Sequence, residues 1–274
     1  MRSSSNPAFR NLSPRGGYAG FSDPQGMPGY GGPGGPGGPV GYGYQAPPTT
    51  GERPMTVDDV VTKTAMTLGL ALLTGVITAI AVLSGSISPY PPMIIGVLVG
   101  LVLSLIVIFK QTPNPALILG YSAAEGVALG AITGVFEAFI PGIALQAILG
   151  TALVFGVMLA VYKTGAVKVT PKLQKWVIAA AGAAFLLMMF NLLMGVFGVE
   201  TGIRGNGPLG IILGVVFIGI AAFMLLLDFD QADQMIRAGM PAKWAWYAAF
   251  GLMTTLVWLY LEIIRLLAIL NSDN

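Results

Sequence analysis

Residues 224–265, MLLLDFDQADQMIRAGMPAKWAWYAAFGLMTTLVWLYLEIIR, decide the fold and contain most of the functional signal. An apolar run ends in three carboxylates, and after a turn at residues 239–241 a second apolar run carries one acid and one base. These ionisable residues are Asp228, Asp230, Asp233, Glu262 and Arg265. Ionisable side chains at membrane depth are costly and mark functional sites by default. The stretch therefore predicts a helical membrane protein and the region where its function is concentrated.

The composition of the whole chain supports this interpretation. Of its 274 residues, 55% are hydrophobic and 9% are charged, whereas a soluble domain has about 25% charged residues. The chain has no Cys and no His, which excludes disulfides, thiol nucleophiles and the commonest transition-metal ligand. It also lacks a phosphate-binding loop, a dinucleotide fingerprint and a Gly-x-Ser-x-Gly motif. We therefore expect no enzyme activity, no bound cofactor and no nucleic-acid partner.

Seven apolar runs lie between Thr56 and the C-terminus, each close to the roughly 20 residues that span a bilayer. Their approximate limits are 64–83, 92–109, 116–139, 142–162, 176–198, 208–228 and 244–270. Because hydrocarbon offers no partner for backbone polar groups, such runs should be α-helices. We predict an all-α membrane protein, with a bundle of seven transmembrane helices in residues 56–274. Six spans and a re-entrant final segment are the open alternative.

Residues 1–55 differ in composition from the rest and contain GYGGPGGPGGPVGYGYQAPP. Gly and Pro at this density cannot bury enough apolar surface to offset chain entropy. We predict a disordered tail here. The opening residues lack the apolar core of a signal peptide, so the tail is expected to stay on the protein.

The basic residues predict the orientation in the membrane. A cytoplasmic N-terminus leaves Arg204 as the only basic loop residue outside, in agreement with the positive-inside rule. The residues then placed inside are Arg2, Arg10, Arg15, Arg53, Lys63, Lys110, Lys163, Lys168, Lys172, Lys175, Arg237 and Lys243. We expect a multi-pass protein of the cell membrane, with the bilayer as its first partner and the three aspartates at the cytoplasmic mouth.

The aspartates are not equivalent. Asp228 directly follows an apolar run and is the deepest, whereas Asp230 points about 200° away around the helix and Asp233 is interpreted as a surface residue. If the helix ends at this cluster, the acids oppose its dipole and require a cation, a basic partner or protonation. A functional role is favoured for Asp228.

Three further sites carry charge within or beside apolar runs. Glu125 lies mid-span among small residues, where a carboxyl group should be protonated or paired; it either makes one interhelical hydrogen bond or has a function. Glu137 is interpreted as a rim residue. Glu262 and Arg265, spaced i, i+3, can form a buried pair, or Arg265 can extend to the outer surface with Glu262 as counter-ion.

Three motifs carry a family resemblance. They are LLLDFDQADQMI at residues 225–236, LYLEIIRLLAILNSDN at 259–274 and EGVALGAITGVFEAFIPGI at 125–143. Residues 55–274 resemble the Bax inhibitor family of membrane proteins, whose bacterial branch includes YccA-like proteins. The opening MRSSSNPAFRNL and the stretch 125–143 look like its actinobacterial members in particular.

The resemblance implies six helices around the last one and a pH-sensitive calcium leak. It also implies two aspartates, one on each of the last two helices, that share a proton as a latch. Asp228 matches the first aspartate, but Thr255 stands at or near the second position. Two carboxylates would share a proton near neutral pH, whereas an acid beside a Thr would not. We therefore expect weaker pH gating, with Glu125 as the substitute carboxylate.

We expect a passive, pH-influenced cation leak, with Ca²⁺ as the permeant ion and Asp228 at the cytoplasmic gate. Asp228 and Glu125 are the candidate transient Ca²⁺ contacts, and Asp230, Thr255, Glu262 and Arg265 are further candidates for the gate or pathway. The alternative is a regulatory protein, without transport activity, that modulates a membrane protease or a stress response through its tail and basic loop. A proton-coupled transporter is a third possibility, and the oligomeric state is open.

Overall fold

A computed structural model describes residues 53–199, 202, 205 and 207–272, and seven long helices make up most of them. The helices are α1 Val57–Leu83, α2 Tyr90–Lys110, α3 Pro115–Phe139, α4 Ile143–Thr164, α5 Pro171–Val196, α6 Pro208–Arg237 and α7 Ala245–Ser272. All seven are long and apolar enough to cross a membrane. The final segment is one continuous helix, and no re-entrant turn interrupts it. The prediction of an all-α membrane protein with seven spans is confirmed, whereas residues 1–52 and Arg204 lie outside the described residues.

Helix starts follow from local sequence chemistry. α1 begins at a capping box, in which the backbone N–H of Asp59 donates to the Thr56 hydroxyl and that of Thr56 donates to the Asp59 carboxylate. These reciprocal bonds satisfy backbone donors that the first helical turn leaves free. The helix therefore begins seven residues before the apolar run that starts at residue 64.

α6 extends well beyond the end predicted from its apolar run. It ends at Arg237 instead of residue 228, because Phe229, Ala232 and Met235 form a buried stripe along the polar continuation. Asp228 consequently lies about two and a half turns before the helix end, and Arg237 is the residue at the negative end of the dipole. The expectation that the aspartates oppose the helix dipole at the C-terminus is wrong for Asp228.

α3 packs at very close range between α1 and α2. A Cβ atom added to Gly126 would overlap the carbonyl oxygen of Ala71, and one added to Gly130 would overlap that of Gly75. On the other side, a Cβ on Gly96 of α2 would lie 2.7 Å from the carbonyl oxygen of Ala124. Small residues at such interfaces let helix backbones approach closely in membranes.

α7 occupies the middle of the bundle. It packs against α1, α3, α4 and α6, while α2 packs mainly on α3 and α5 mainly on α6. Ala249, Met253 and Leu259 of α7 are fully buried. Four helices therefore enclose the last one directly, and α2 and α5 form an outer layer.

Residues 53–56, here called the N-terminal strap, are bound to the connection between α6 and α7. The N–H of Met55 donates to the Met240 carbonyl (2.7 Å), and the N–H of Ala242 donates to the Arg53 carbonyl (3.0 Å). The Met55 side chain is 2% exposed and belongs to the main core. Residues 53–55, assigned to the tail from composition, are thus part of the helical domain because they pair their backbone and bury a side chain there.

We predict that Gly126→Ala lowers the free energy of unfolding by about 1–3 kcal/mol, because the added methyl group overpacks the contact with α1. The matched control is Gly182→Ala on α5, where an added Cβ meets nothing within 4 Å. That control should change the stability by less than about 1 kcal/mol and in the stabilising direction. Thermal unfolding in detergent micelles measures both; equal midpoints for the two variants would contradict the role assigned to the close contact.

Candidate functional site

Asp228 of α6 lies against α7. Its Oδ1 atom is 3.8 Å from the position that a Cβ on Gly251 would occupy. A methyl group at Gly251 would be in ordinary van der Waals contact with the carboxylate, which therefore lies directly against this face of α7. Thr255, one turn further along α7, is 6% exposed and its hydroxyl lies within hydrogen-bonding reach of the Asp228 carboxyl group.

One oxygen of the Asp228 carboxyl group lacks a partner. Oδ2 is buried and accepts no hydrogen bond from the described residues. Buried polar atoms are almost always hydrogen-bonded, so an exception requires an explanation. Among the described acids, this buried carboxylate oxygen is therefore the one whose environment calls for a functional explanation.

The other two aspartates of α6 have local partners. Asp230 accepts a hydrogen bond from the Gln234 side chain (2.6 Å). Asp233 accepts one from the Tyr162 hydroxyl of α4 (2.9 Å) and pairs with Arg237 one turn on (2.5 Å). Asp233 therefore links α6 to α4 rather than being only a solvated charge. All three acids belong to α6. Of them, Asp228 is the one that packs against α7 and has a buried oxygen without a hydrogen-bond partner.

Glu125 is placed between α2 and α3. A Cβ added to Gly100 of α2 would lie 2.9 Å from its Oε1 atom, so the carboxyl group fills the space above that glycine. The Tyr121 hydroxyl lies within hydrogen-bonding reach of Glu125 and accepts a bond from Thr254 of α7 (3.3 Å). Glu125 thus connects to the central helix through a tyrosine.

Asp228 and Glu125 therefore contact different neighbours. Asp228 contacts Gly251 and Thr255, whereas Glu125 lies against Gly100 and reaches α7 through Tyr121. Within the part of the chain that the structure describes, no three acidic side chains cluster in a way that could hold a metal ion. The two carboxyl groups are therefore separate sites and do not form one coordination site.

Glu262 and Arg265 form a largely buried pair on α7. Arg265 Nη1 donates to Glu262 Oε2 at 3.4 Å, and the two side chains are 16% and 2% exposed. Both residues have additional interactions. The buried-pair alternative is confirmed, and Arg265 does not extend freely to the surface. An ion pair at this depth favours one specific packing of the helix more than it adds stability.

Glu137 has a structural role at the turn between α3 and α4. Its Oε1 atom accepts from the N–H of Gly142 (2.6 Å) and its Oε2 atom from the N–H of Ala144 (2.9 Å). A carboxylate at a helix N-terminus satisfies free donors and complements the dipole. The rim residue predicted from sequence is therefore the cap of α4.

Sequence reasoning missed three residues of the site: Gly100, Tyr121 and Gly251. The spacing of Gly251 and Thr255, four residues apart, was the available signal that the two residues face the same neighbouring helix. Tyr121 and Glu125 have the same spacing on α3. Gly100 had no signal of its own, because only the packing of α2 places it under the carboxyl group.

The comparisons with known proteins give one family. No curated protein matches the chain. A family model described as Bax inhibitor 1 like matches residues 6–272, which include all seven helices and every candidate residue above. Because this match covers nearly the whole sequence, the protein is a multi-pass membrane protein that belongs to the Bax inhibitor 1 like family.

Proposed function

We propose that the protein is a passive leak for cations, with Ca²⁺ as the permeant ion and Asp228 as its gate. The proposal rests on the environment of the Asp228 carboxyl group. This group of α6 packs against α7 at Gly251, and its Oδ2 atom is buried without a hydrogen-bond partner. In the packed bundle this group seals α6 against the central helix. When the helices separate, the same oxygens can receive a cation.

The physical basis is the cost of burying a charge. An ionised carboxylate without a full set of partners is strongly disfavoured in a low-dielectric interior. Ionisation of Asp228 therefore favours a state in which water or a cation reaches the group, and protonation favours the packed state. Thr255 supplies a hydroxyl beside Asp228 but no second acid, so the proposed pH response is that of a single carboxyl group.

The ligand chemistry favours a hard cation. The chain offers carboxylates, hydroxyls and carbonyls but no Cys or His. Ca²⁺ is bound by oxygen ligands in flexible geometries, whereas soft metals select sulfur and nitrogen. Glu125 is the second acid of the proposed path, and the Glu262–Arg265 pair sets the position of α7.

The proposed orientation places the Asp228 end of the bundle in the cytoplasm of the cell. α1 and α7 begin at this end and α6 finishes there, and all the described basic residues except Arg265 lie at or near it. They are Arg53, Lys63, Lys110, Lys163, Lys168, Lys172, Lys175, Arg237 and Lys243. An excess of Lys and Arg marks the cytoplasmic side of membrane proteins.

We predict that Asp228→Asn reduces Ca²⁺ flux into proteoliposomes by about tenfold or more, corresponding to about 1.4 kcal/mol or more in the barrier. The amide mimics the protonated acid and keeps the bundle packed. Asp58→Asn is the matched control, because Asp58 is an exposed acid in the first turn of α1 at the same end. In the control and in the unaltered protein, Ca²⁺ flux should decrease as the pH is lowered.

Flux that is absent from the unaltered protein at every pH would overturn the leak and favour the regulatory alternative. Equal flux in Asp228→Asn and Asp58→Asn would overturn the gate alone. Measurement with a Ca²⁺ indicator inside the vesicles, with empty vesicles as the baseline, separates the two outcomes.

A second prediction concerns Thr255. Thr255→Asp places two carboxyl groups side by side, and such pairs share a proton near neutral pH. The ratio of flux at about pH 8 to flux at about pH 5 should therefore rise several-fold above that of the unaltered protein. The double variant Thr255→Asp with Asp228→Asn has a single acid and should lose this gain; retention of the gain would contradict the pairing of the two positions.

A third prediction tests Glu125. Glu125→Gln should lower the flux by a factor of about ten, because it removes the mid-membrane charge at nearly constant volume. Gly100→Ala should lower it as well, since the added Cβ would lie 2.9 Å from Oε1 and displace the carboxyl group. Gly156→Ala on α4, where the Cβ meets nothing within 4 Å, is the control. Normal flux in Glu125→Gln would remove Glu125 from the pathway.

A further inference from the structure

A groove opens between α1 and α4 on the side of the bundle. It has a volume of about 360 Å³, and α7 forms its floor with Met253, Leu256, Val257 and Tyr260. α1 packs chiefly on α3 and α7, and α4 chiefly on α7 and α6, and between them Val257 and Tyr260 of α7 are half-buried while Met253 and Leu256 are buried. This exposure of the central helix is separate from the Asp228 site on the α6 side.

The polar groups of the groove are already bonded within the protein. The Thr133 and Tyr260 hydroxyls bond to each other (2.8 Å), and the Thr151 hydroxyl donates to the Ala147 carbonyl (2.8 Å). The remaining lining is apolar. A polar ligand or an ion would lose its hydration here without forming hydrogen bonds to the protein, which is unfavourable. A hydrocarbon chain has no such desolvation penalty.

The rims of the groove face the bilayer. Leu72 and Val76 on α1 are each 52% exposed, and Ile148 on α4 is 37% exposed. Lipid tails are the solvent for such side chains in a seven-span protein. The groove follows α1 from Leu68 to Ile80, a rise of about 18 Å at 1.5 Å per residue. This length is close to one leaflet of a hydrocarbon core about 30 Å thick.

We propose that this groove binds one acyl chain of a bilayer phospholipid, which lies between α1 and α4 in direct contact with α7. Apolar walls, satisfied hydroxyls, opening to the bilayer and a length of one leaflet together fit this ligand. The acyl chain completes the packing around the central helix on the side where no helix of the protein covers it.

The test uses the full protein in vesicles that contain phosphatidylcholine with a photoreactive diazirine in its acyl chain. After illumination, mass spectrometry of the digested protein should find lipid adducts on Val257 or Tyr260, in addition to adducts on outward residues such as Leu149. The expected yield on α7 is comparable, within a few-fold, to the yield on Leu149. Adducts on Leu149 without any on α7 would overturn the proposal, and would leave the groove closed or covered by another protein surface.

Two variants of α4 sharpen the result. Ala152→Phe places a ring in the groove, because Ala152 lines it, and should abolish the α7 adducts while outward adducts remain. Leu153→Phe, one residue along and 69% exposed, is the matched control and should keep both. Persistent α7 adducts in a folded Ala152→Phe protein would also overturn the proposal. If gel filtration shows that this variant does not fold, the adduct pattern of the unaltered protein decides.

Discussion

The contact of α3 with α1 at Gly126 and Gly130 is the constraint on which the rest of the bundle depends. Backbones at this distance leave no space for a side chain at either glycine, and the Thr74 hydroxyl of α1 already occupies the space beside Gly126. α3 is thereby held beside α1 and α2, and one turn before Gly126 its Tyr121 and Ser122 side chains contact Phe250 and Met253 of α7. Ser122 bonds to the sulfur of Met253 (2.9 Å). The position of the central helix follows from a contact in which it takes no part.

α7 is consequently held by unequal contacts. On the α6 side it is covered by a helix that carries Asp228, and on the α1–α4 side it faces a groove lined by apolar residues. Its charged pair, Glu262 and Arg265, is buried near the other end. The proposed gate and the proposed lipid site lie on opposite faces of this one helix.

Much of the fold could be predicted from the sequence, because hydropathy and length suffice when the solvent is hydrocarbon. The seven spans and the capping box at Thr56 follow from local residues. The end of α6 could not be predicted in this way, since Phe229, Ala232 and Met235 are buried by tertiary contacts. At the site, charge in an apolar run identified Asp228, Glu125 and the Glu262–Arg265 pair. The absence of a side chain at Gly100 acts only through Glu125 of the neighbouring helix, so the sequence gives no direct sign of it.

The N-terminal strap has a consequence for how the chain is made. Lys63 reaches the Ala242 carbonyl across 179 residues of sequence, and Met55 bonds to Met240 beside it. During synthesis α1 is complete long before these partners exist, so the strap acquires its contacts after α6 has entered the membrane. Domains assemble as the chain emerges, and long-range contacts form last. The strap therefore forms its hydrogen bonds only after α6 and the connection to α7 have been made. These bonds then join the start of α1 to the connection before α7 at one end of the bundle.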